Sequence, residues 1–191
     1  MKEIIRQYLR EMATTKTGRS YVSSANELFQ ILYADNPLWE REKPIPELKN
    51  NRIKFDCINF EEKVTIEYQG NHHYQVVSNI LRDDRKQKLA EEQGFTCIQH
   101  PYWLGIHPEY MNELFGERIV GNLPHIPAGF ISKTVVLPAD FCEMGIQRFK
   151  KEYDELPTHL QNEIRESLVI KIDELQNIDL VLPTNLRYII E

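Results

Sequence analysis

The fold is decided by residues 52–74, which read RIKFDCINFEEKVTIEYQGNHHY. Two runs rich in β-branched and aromatic residues flank the acidic pair Glu61 and Glu62, and this pattern predicts two strands joined by a short turn. With the acidic pair at the tip of the turn, antiparallel pairing sets Asp56 directly across from Glu67. The stretch therefore predicts a β-hairpin on which two carboxylates face each other.

Side-chain alternation gives this hairpin a polar face and an apolar face. The polar face is expected to hold Lys54, Asp56, Glu67 and Gln69. The apolar face is expected to hold Phe55, Cys57, Ile66 and Tyr68. A divalent cation between Asp56 and Glu67 would turn their repulsion into a binding site, since Mg²⁺ takes one or two carboxylates plus water and phosphate oxygens. The alternatives are an exposed face with tolerated charges, or an odd-length turn that separates the carboxylates.

The whole chain has 191 residues, enough for one domain or for one domain with an appendage. Hydrophobic residues make up 41% and charged residues 27%, which is typical of a globular protein. The three cysteines are far apart, which argues against a disulfide framework and for a reducing cytoplasm. No apolar run approaches the roughly 18 residues of a membrane span, and the first residues are too charged for a secretory signal. We expect a cytoplasmic protein with no membrane partner.

The net charge of −6 is unevenly distributed. Residues 1–106 hold equal numbers of basic and acidic residues, so the acidic excess lies in residues 107–191. We expect the first part to form the core, with N-terminal helices, and the second to form an acidic, mainly helical extension. The first part carries a candidate basic face, Arg82, Arg85, Lys86 and Lys88, although a solvated helix surface is the more common outcome for such a group.

Apolar periodicity and turn residues predict the remaining elements. Helices are expected at residues 2–12, 25–34 and 80–93. Strands are expected at residues 39–42, 52–59, 63–68 and 95–99. The C-terminal part predicts a strand at residues 134–137 and helices at 138–153 and 157–176, each opened by a proline in its first turn. The fold class is therefore α/β, a central mixed sheet flanked by helices with a C-terminal helical extension.

Short motifs follow one another in a recognisable order over roughly residues 20–103. They are Ser24-Ala25-Asn26-Glu27-Leu28, Lys43-Pro44-Ile45, Ile53-Lys54-Phe55-Asp56, the run from Glu67 to His73, and Arg82-Asp83-Asp84-Arg85. This order resembles the PD-(D/E)XK nuclease superfamily, most closely its very-short-patch-repair-like (Vsr-like) endonuclease branch. The resemblance implies a restriction-endonuclease-like core.

The resemblance also implies an activity, that of a Mg²⁺-dependent DNA endonuclease. Asp56 and Glu67 would be the metal ligands, and Mn²⁺ is expected to substitute for Mg²⁺. Glu27 would be an auxiliary carboxylate. His73 would orient the attacking water, act as a base or contact a phosphate, with His72 as a competing candidate. The implied mechanism is metal-assisted phosphodiester hydrolysis without a covalent enzyme intermediate.

One residue departs from the superfamily pattern, because Gln69 stands where a lysine is usual, two residues after the glutamate. The hairpin pairing sets Lys54 opposite Gln69. We therefore hypothesise that Lys54 supplies the missing ammonium group, the alternative being that it is an ordinary exposed strand residue.

Two other features of the sequence allow further interpretations, a zinc site and an aromatic surface for nucleic-acid bases. Cys97 and His100 have ligand-like spacing, with Cys57 or His107 as further zinc ligands, although a closed structural site needs four ligands. The aromatic pair Tyr102-Trp103 would either stack on bases or pack the end of the sheet.

DNA is the expected partner, and symmetric cleavage of two strands favours a homodimer. Restriction, homing, repair nicking or defence in a bacterial or phage-infected cell is the setting that the resemblance implies. The rival functions are a catalytically silent nucleic-acid-binding module and an interaction protein that holds an unidentified partner through its acidic C-terminal half. RNA is an alternative substrate, since no base-reading motif is visible.

Overall fold

The computed structural model describes residues 24–48, 53–116, 123, 125–131 and 135–191. The helix predicted at residues 2–12 lies outside the described residues. Within these ranges, four strands form one sheet: β1 (Glu40–Lys43), β2 (Phe55–Asn59), β3 (Val64–Gln69) and β4 (Thr96–Pro101). They lie in the order β1-β2-β3-β4, with antiparallel pairing up to β3 and parallel pairing between β3 and β4.

Helices flank this sheet and continue into the C-terminal part. Among the described residues, the α-helices are α1 (Ala25–Asp35), α2 (His72–Gln75), α3 (Val77–Glu92), α4 (Pro108–Phe115), α5 (Glu143–Asp154) and α6 (Thr158–Leu175). The same part of the chain contains three 3₁₀-helices, at Pro138–Asp140, Ile178–Leu180 and Thr184–Ile189. The predicted fold class, α/β with a mixed sheet flanked by helices, is confirmed. Within the described ranges, no helix combines the length and the apolar character needed to cross a membrane.

Helix α1 begins where the sequence predicts, because Ser24 caps it. The Ser24 hydroxyl accepts a hydrogen bond from the Glu27 N–H at 3.3 Å, which satisfies one of the amides that a helix start leaves unpaired. Leu28 and Leu32 lie one turn apart on the same side of the helix, and both are fully buried. They pack with Ile66 of β3, which fixes α1 on one side of the sheet.

Helix α3 covers the other side of the sheet. Its Ala90 packs with Phe55 and Ile58 of β2. The helix begins three residues earlier than predicted, and Gly94 follows its end in the left-handed conformation, with φ of 78°. Glycine is suited to this position because it has no Cβ to clash there.

The hairpin register agrees with the prediction, since Cys57 pairs with Ile66. The strict alternation that was predicted is wrong at Phe55, which packs beside α3, whereas Cys57 packs beside α1. The regular pleat is interrupted at the intervening Asp56, whose N–H donates to a side chain and not to a strand carbonyl. The neighbouring strand β1 is irregular at the same level, where Glu42 has φ of 52°.

The C-terminal part differs from the prediction at two places. Residues 135–137, the described part of the predicted strand, are not a strand. The Tyr102 hydroxyl donates to the Val136 carbonyl at 2.6 Å. This segment is therefore held by a side chain and not by pairing with a strand of the sheet. The first predicted helix is two elements, because Cys142 caps α5 with its Sγ after the 3₁₀-helix has ended. Helix α6 agrees with the prediction, except that Pro157 precedes it as the cap.

The C-terminal helices pack directly on the sheet domain. One large apolar cluster joins Tyr74 and Trp103 with Phe149 of α5 and Leu160 of α6. The backbones approach closely at Gly145, where an added Cβ would lie 1.8 Å from the Tyr74 carbonyl oxygen. Packing therefore continues across residue 106, where the charge distribution changes.

Candidate active site

The centre of the site is a pair of carboxylates on adjacent strands. The Asp56 N–H donates to Glu67 Oε1 at 3.0 Å, and the Tyr68 N–H donates to Asp56 Oδ2 at 2.9 Å. Each carboxylate is thus held by the backbone of the opposite strand, in place of the next rung of the β-ladder. Such amide donors orient the carboxylates and stabilise their ionised forms.

The pair faces a cavity of about 460 Å³ between β2, β3, α2 and α3. Its ionisable lining consists of Lys54, Asp56, Glu67, His73, Arg82, Asp83, Arg85 and Lys86. Four of these side chains are basic and three are acidic. Arg82 and Arg85 are exposed on α3 at the cavity edge. The cavity therefore combines carboxylate ligands with cations suited to a phosphate group.

A lysine that the sequence reasoning missed lies closest to Glu67. The ammonium of Lys86 on α3 donates to Glu67 Oε2 and lies 4.8 Å from the centre of the Phe55 ring. The signal in the sequence is the helical spacing, since Lys86 follows Arg82 by four residues and so shares its face of the helix. The sequence suggested that Lys54 places an ammonium group beside the carboxylates. In the structure, Lys86 makes that contact.

Burial controls the protonation of Glu67, which is 7% exposed. Desolvation, aided by the charge of Asp56, raises the pKa of Glu67 to about 7, although the Lys86 ammonium opposes the shift. Near neutral pH, a proton therefore competes for the position that a cation would take.

His73 belongs to a second polar chain in the same cavity. Its Nδ1 lies 2.5 Å from Oδ2 of the buried Asp83, and Arg148 of α5 donates to the same oxygen at 3.1 Å. With Asp83 accepting from Nδ1–H, the neutral ring presents Nε2 as a proton acceptor. A C-terminal residue thus supports the histidine of the cavity.

Three other predicted residues lie outside the cavity lining. Gln69 is 1% exposed at the end of β3, where the turn after β4 covers it and the Tyr102 N–H donates to its carbonyl. Glu27 lies on α1, which packs on the opposite side of the sheet from α3. His72 is exposed and does not line the cavity. Of the predicted site residues, the cavity brings together Lys54, Asp56, Glu67 and His73.

The zinc ligands suggested by spacing do not meet, because Cys57 and Cys97 pack in clusters on opposite sides of the sheet. His100 is buried, and burial lowers its pKa to about 4. Tyr102 and Trp103 are buried in the large apolar cluster, so this pair packs the end of the sheet and does not present rings for base stacking.

In comparisons with known proteins, no family model, curated protein or solved structure matches this chain.

Proposed function

We propose that this chain is a metal-dependent DNA endonuclease of the PD-(D/E)XK superfamily that hydrolyses phosphodiester bonds, with Mg²⁺ held by Asp56 and Glu67. The observation that carries the proposal is the carboxylate pair itself. Two acidic side chains on adjacent strands are each held by the amide of the other strand, and both face a cavity rimmed by basic residues.

The residues fit a hard divalent cation. Carboxylate oxygens are the ligands that Mg²⁺ prefers, and one or two of them suffice when water and phosphate oxygens complete the octahedron. Asp56 Oδ1 accepts no hydrogen bond from any residue in the described part of the chain, so it remains available as a ligand. The raised pKa of Glu67 fits as well, since a cation at this position would restore the ionised form.

The side chains around the carboxylates have distinct roles in this proposal. His73 Nε2 accepts a proton from the attacking water, while Asp83 holds the ring through Nδ1. Arg82 and Arg85 bind phosphate groups of the substrate at the edge of the cavity. Mg²⁺, when bound, supplies Lewis-acid stabilisation of the phosphoryl oxygens, and Mn²⁺ is expected to replace it.

Lys86 fills the role of the missing superfamily lysine in this proposal. Its ammonium already contacts the Glu67 carboxylate from α3, whereas Lys54 lines the cavity as an exposed side chain. The Lys86 ammonium would therefore stabilise the negative charge that develops on the phosphoryl group during hydrolysis.

Supercoiled-plasmid cleavage tests the proposal. We expect nicking or linearisation with Mg²⁺ or Mn²⁺ and none with EDTA, and we expect Asp56→Asn and Glu67→Gln to abolish it. His73→Gln should lower the rate by about 100-fold or more, as loss of a general base does, while the exposed neighbour His72→Gln serves as its matched control. An intact rate in Asp56→Asn would refute the proposal.

A comparison of Lys86→Gln with Lys54→Gln decides which ammonium acts. The larger loss of rate is expected in Lys86→Gln, and equal rates in wild type and Lys86→Gln would return the role to Lys54.

A catalytically silent DNA-binding module is the second candidate. This candidate is favoured by the burial of Gln69. Gln69 occupies the position of the usual superfamily lysine, and it does not line the cavity. Binding of DNA in EDTA by a folded protein that cleaves no plasmid with any divalent metal would support this candidate.

A further inference from the structure

Three potential metal ligands converge far from the carboxylate pair in sequence. His107 precedes helix α4, His125 lies in the segment that follows α4, and Glu163 lies on α6. Their ligand atoms all lie within 4.8 Å of one another, and no other such group of three is found among the described residues.

The distances are close to those of a metal site. His107 Nε2 lies 3.4 Å from Glu163 Oε2, and His125 Nε2 lies 3.9 Å from Glu163 Oε1. A tetrahedral Zn²⁺ ion with bonds of 2.0–2.1 Å separates its ligand atoms by about 3.4 Å. Small side-chain rotations would therefore bring the three groups into coordination.

His107 supplies independent support, because its polar atom is buried without a partner. The side chain is 3% exposed, and Nε2 has no hydrogen bond although it lies 3.4 Å from Glu163 Oε2. An unused ring nitrogen in a buried position, beside two other potential ligands, is what a metal site requires.

The carboxylate is already oriented toward the two rings. Glu163 Oε2 accepts a hydrogen bond from the Ala128 N–H at 2.9 Å. Hydrogen bonds of this kind position carboxylates that bind metals. His159 lies one helical turn before Glu163 on α6, and its ring centre is 6.1 Å from that of His107. Residues four apart share a helix face, so His159 is suited to the fourth position.

We propose that His107, His125 and Glu163 bind a Zn²⁺ ion, with His159 as the fourth ligand. Imidazole nitrogens select zinc and its transition-metal neighbours, whereas Mg²⁺ prefers oxygen, so this site is chemically distinct from the Asp56–Glu67 pair. The ion links three segments that are distant in the chain and holds helix α6 against the residue that precedes α4. Its role is structural, and it does not depend on the proposed nuclease activity.

Metal binding by the full chain tests this proposal. The protein is stripped with EDTA, dialysed, and titrated with Zn²⁺ by calorimetry and with Co²⁺ by visible absorption. We expect one equivalent with the d–d bands of four-coordinate Co²⁺. Zn²⁺ at about a hundredfold excess over Kd should raise Tm by about 5–10 °C.

Matched variants locate the site. His125→Ala changes an exposed side chain and so should fold normally, and Glu163→Gln keeps the shape of the side chain. Each should weaken Zn²⁺ binding by at least about 10–100-fold. A loss of this size already follows when a residue that only hydrogen-bonds to a metal ligand is removed. His159→Ala should change the Co²⁺ spectrum, and the exposed His72→Ala should leave Zn²⁺ binding unchanged.

Asp56→Asn separates this site from the carboxylate pair, since binding here should survive that substitution. The proposal is overturned if the wild type binds no equivalent of Zn²⁺, if folded His125→Ala retains its affinity within about threefold, or if Asp56→Asn removes the binding.

Discussion

The protonation of Glu67 makes a strong prediction about how metal affinity depends on pH. The carboxyl is 7% exposed and its pKa is raised to about 7, chiefly by burial. A carboxylic acid must lose its proton before it can bind a cation, so binding of Mg²⁺ at this site releases a proton below the pKa. Affinity should therefore rise with pH through neutrality and level off above it.

The size of the effect follows from the fraction of Glu67 that is ionised. With a pKa of about 7, about 10% is ionised at pH 6 and about 90% at pH 8. The apparent Kd for Mg²⁺ should accordingly be about tenfold weaker at pH 6 than at pH 8. A carboxyl with its usual pKa of about 4.3 would be ionised at both pH values and would show almost no change.

Calorimetric titration of the full chain with Mg²⁺ at pH 6, 7 and 8 measures this dependence. Lys86→Gln provides a directional check, because the Lys86 ammonium lowers the pKa of Glu67. Without that charge, the pKa of Glu67 should rise further and the whole curve should move to higher pH. An affinity that stays constant between pH 6 and 8, or a curve that Lys86→Gln moves to lower pH, would refute the reasoning.

Three further predictions concern the stability of the fold, each measured by urea unfolding. Gly145→Ala should destabilise the fold by about 3 kcal/mol, because its Cβ would meet the Tyr74 carbonyl oxygen. Arg148→Met should cost about 3 kcal/mol, since it leaves the buried Asp83 carboxylate without its guanidinium partner. The pKa of His100 is about 4 in the folded state against 6.5 for a free histidine, so its contribution to stability is present above pH 6.5 and is lost as the pH falls. That loss amounts to about 2 kcal/mol between pH 7 and pH 5, and His100→Gln in EDTA should not show it.

Matched controls separate these effects from nonspecific damage. An added Cβ at Gly70 meets only an ordinary contact at 3.7 Å, so Gly70→Ala should be nearly neutral. Lys150 forms an exposed pair with Asp154, and Lys150→Met should leave the free energy of unfolding unchanged. Wild-type stability in Gly145→Ala or Arg148→Met, or an undiminished acid sensitivity in His100→Gln, would contradict the respective prediction.

Local sequence signals predicted much of the fold, because they act over a few residues. The Ser24 cap and the paired leucines of α1 are read from neighbouring positions, and the helix follows them. The turn at Glu61 and Glu62 sets the hairpin register, and the register alone brings Asp56 and Glu67 together. Alternation failed at Phe55, where the carboxylate pair interrupts the backbone pairing.

Contacts between distant segments were beyond the reach of these signals. Lys86 reaches Glu67 only because α3 packs across the sheet at one particular rotation, and spacing along the helix does not specify that rotation. Gln69 is buried and does not line the cavity, and the Tyr102 N–H of the turn after β4 donates to its carbonyl.

By itself, the sequence determined the strands of the sheet, helices α1, α3 and α6, the hairpin register and the meeting of two carboxylates, since each depends on backbone periodicity and on residues close in the chain. The tertiary structure alone decided which lysine accompanies those carboxylates, that Arg148 supports His73 through Asp83, and that three segments bring His107, His125 and Glu163 together. These contacts depend on how the helices dock on the sheet, and docking is set by the packing of the whole core, which no local pattern encodes.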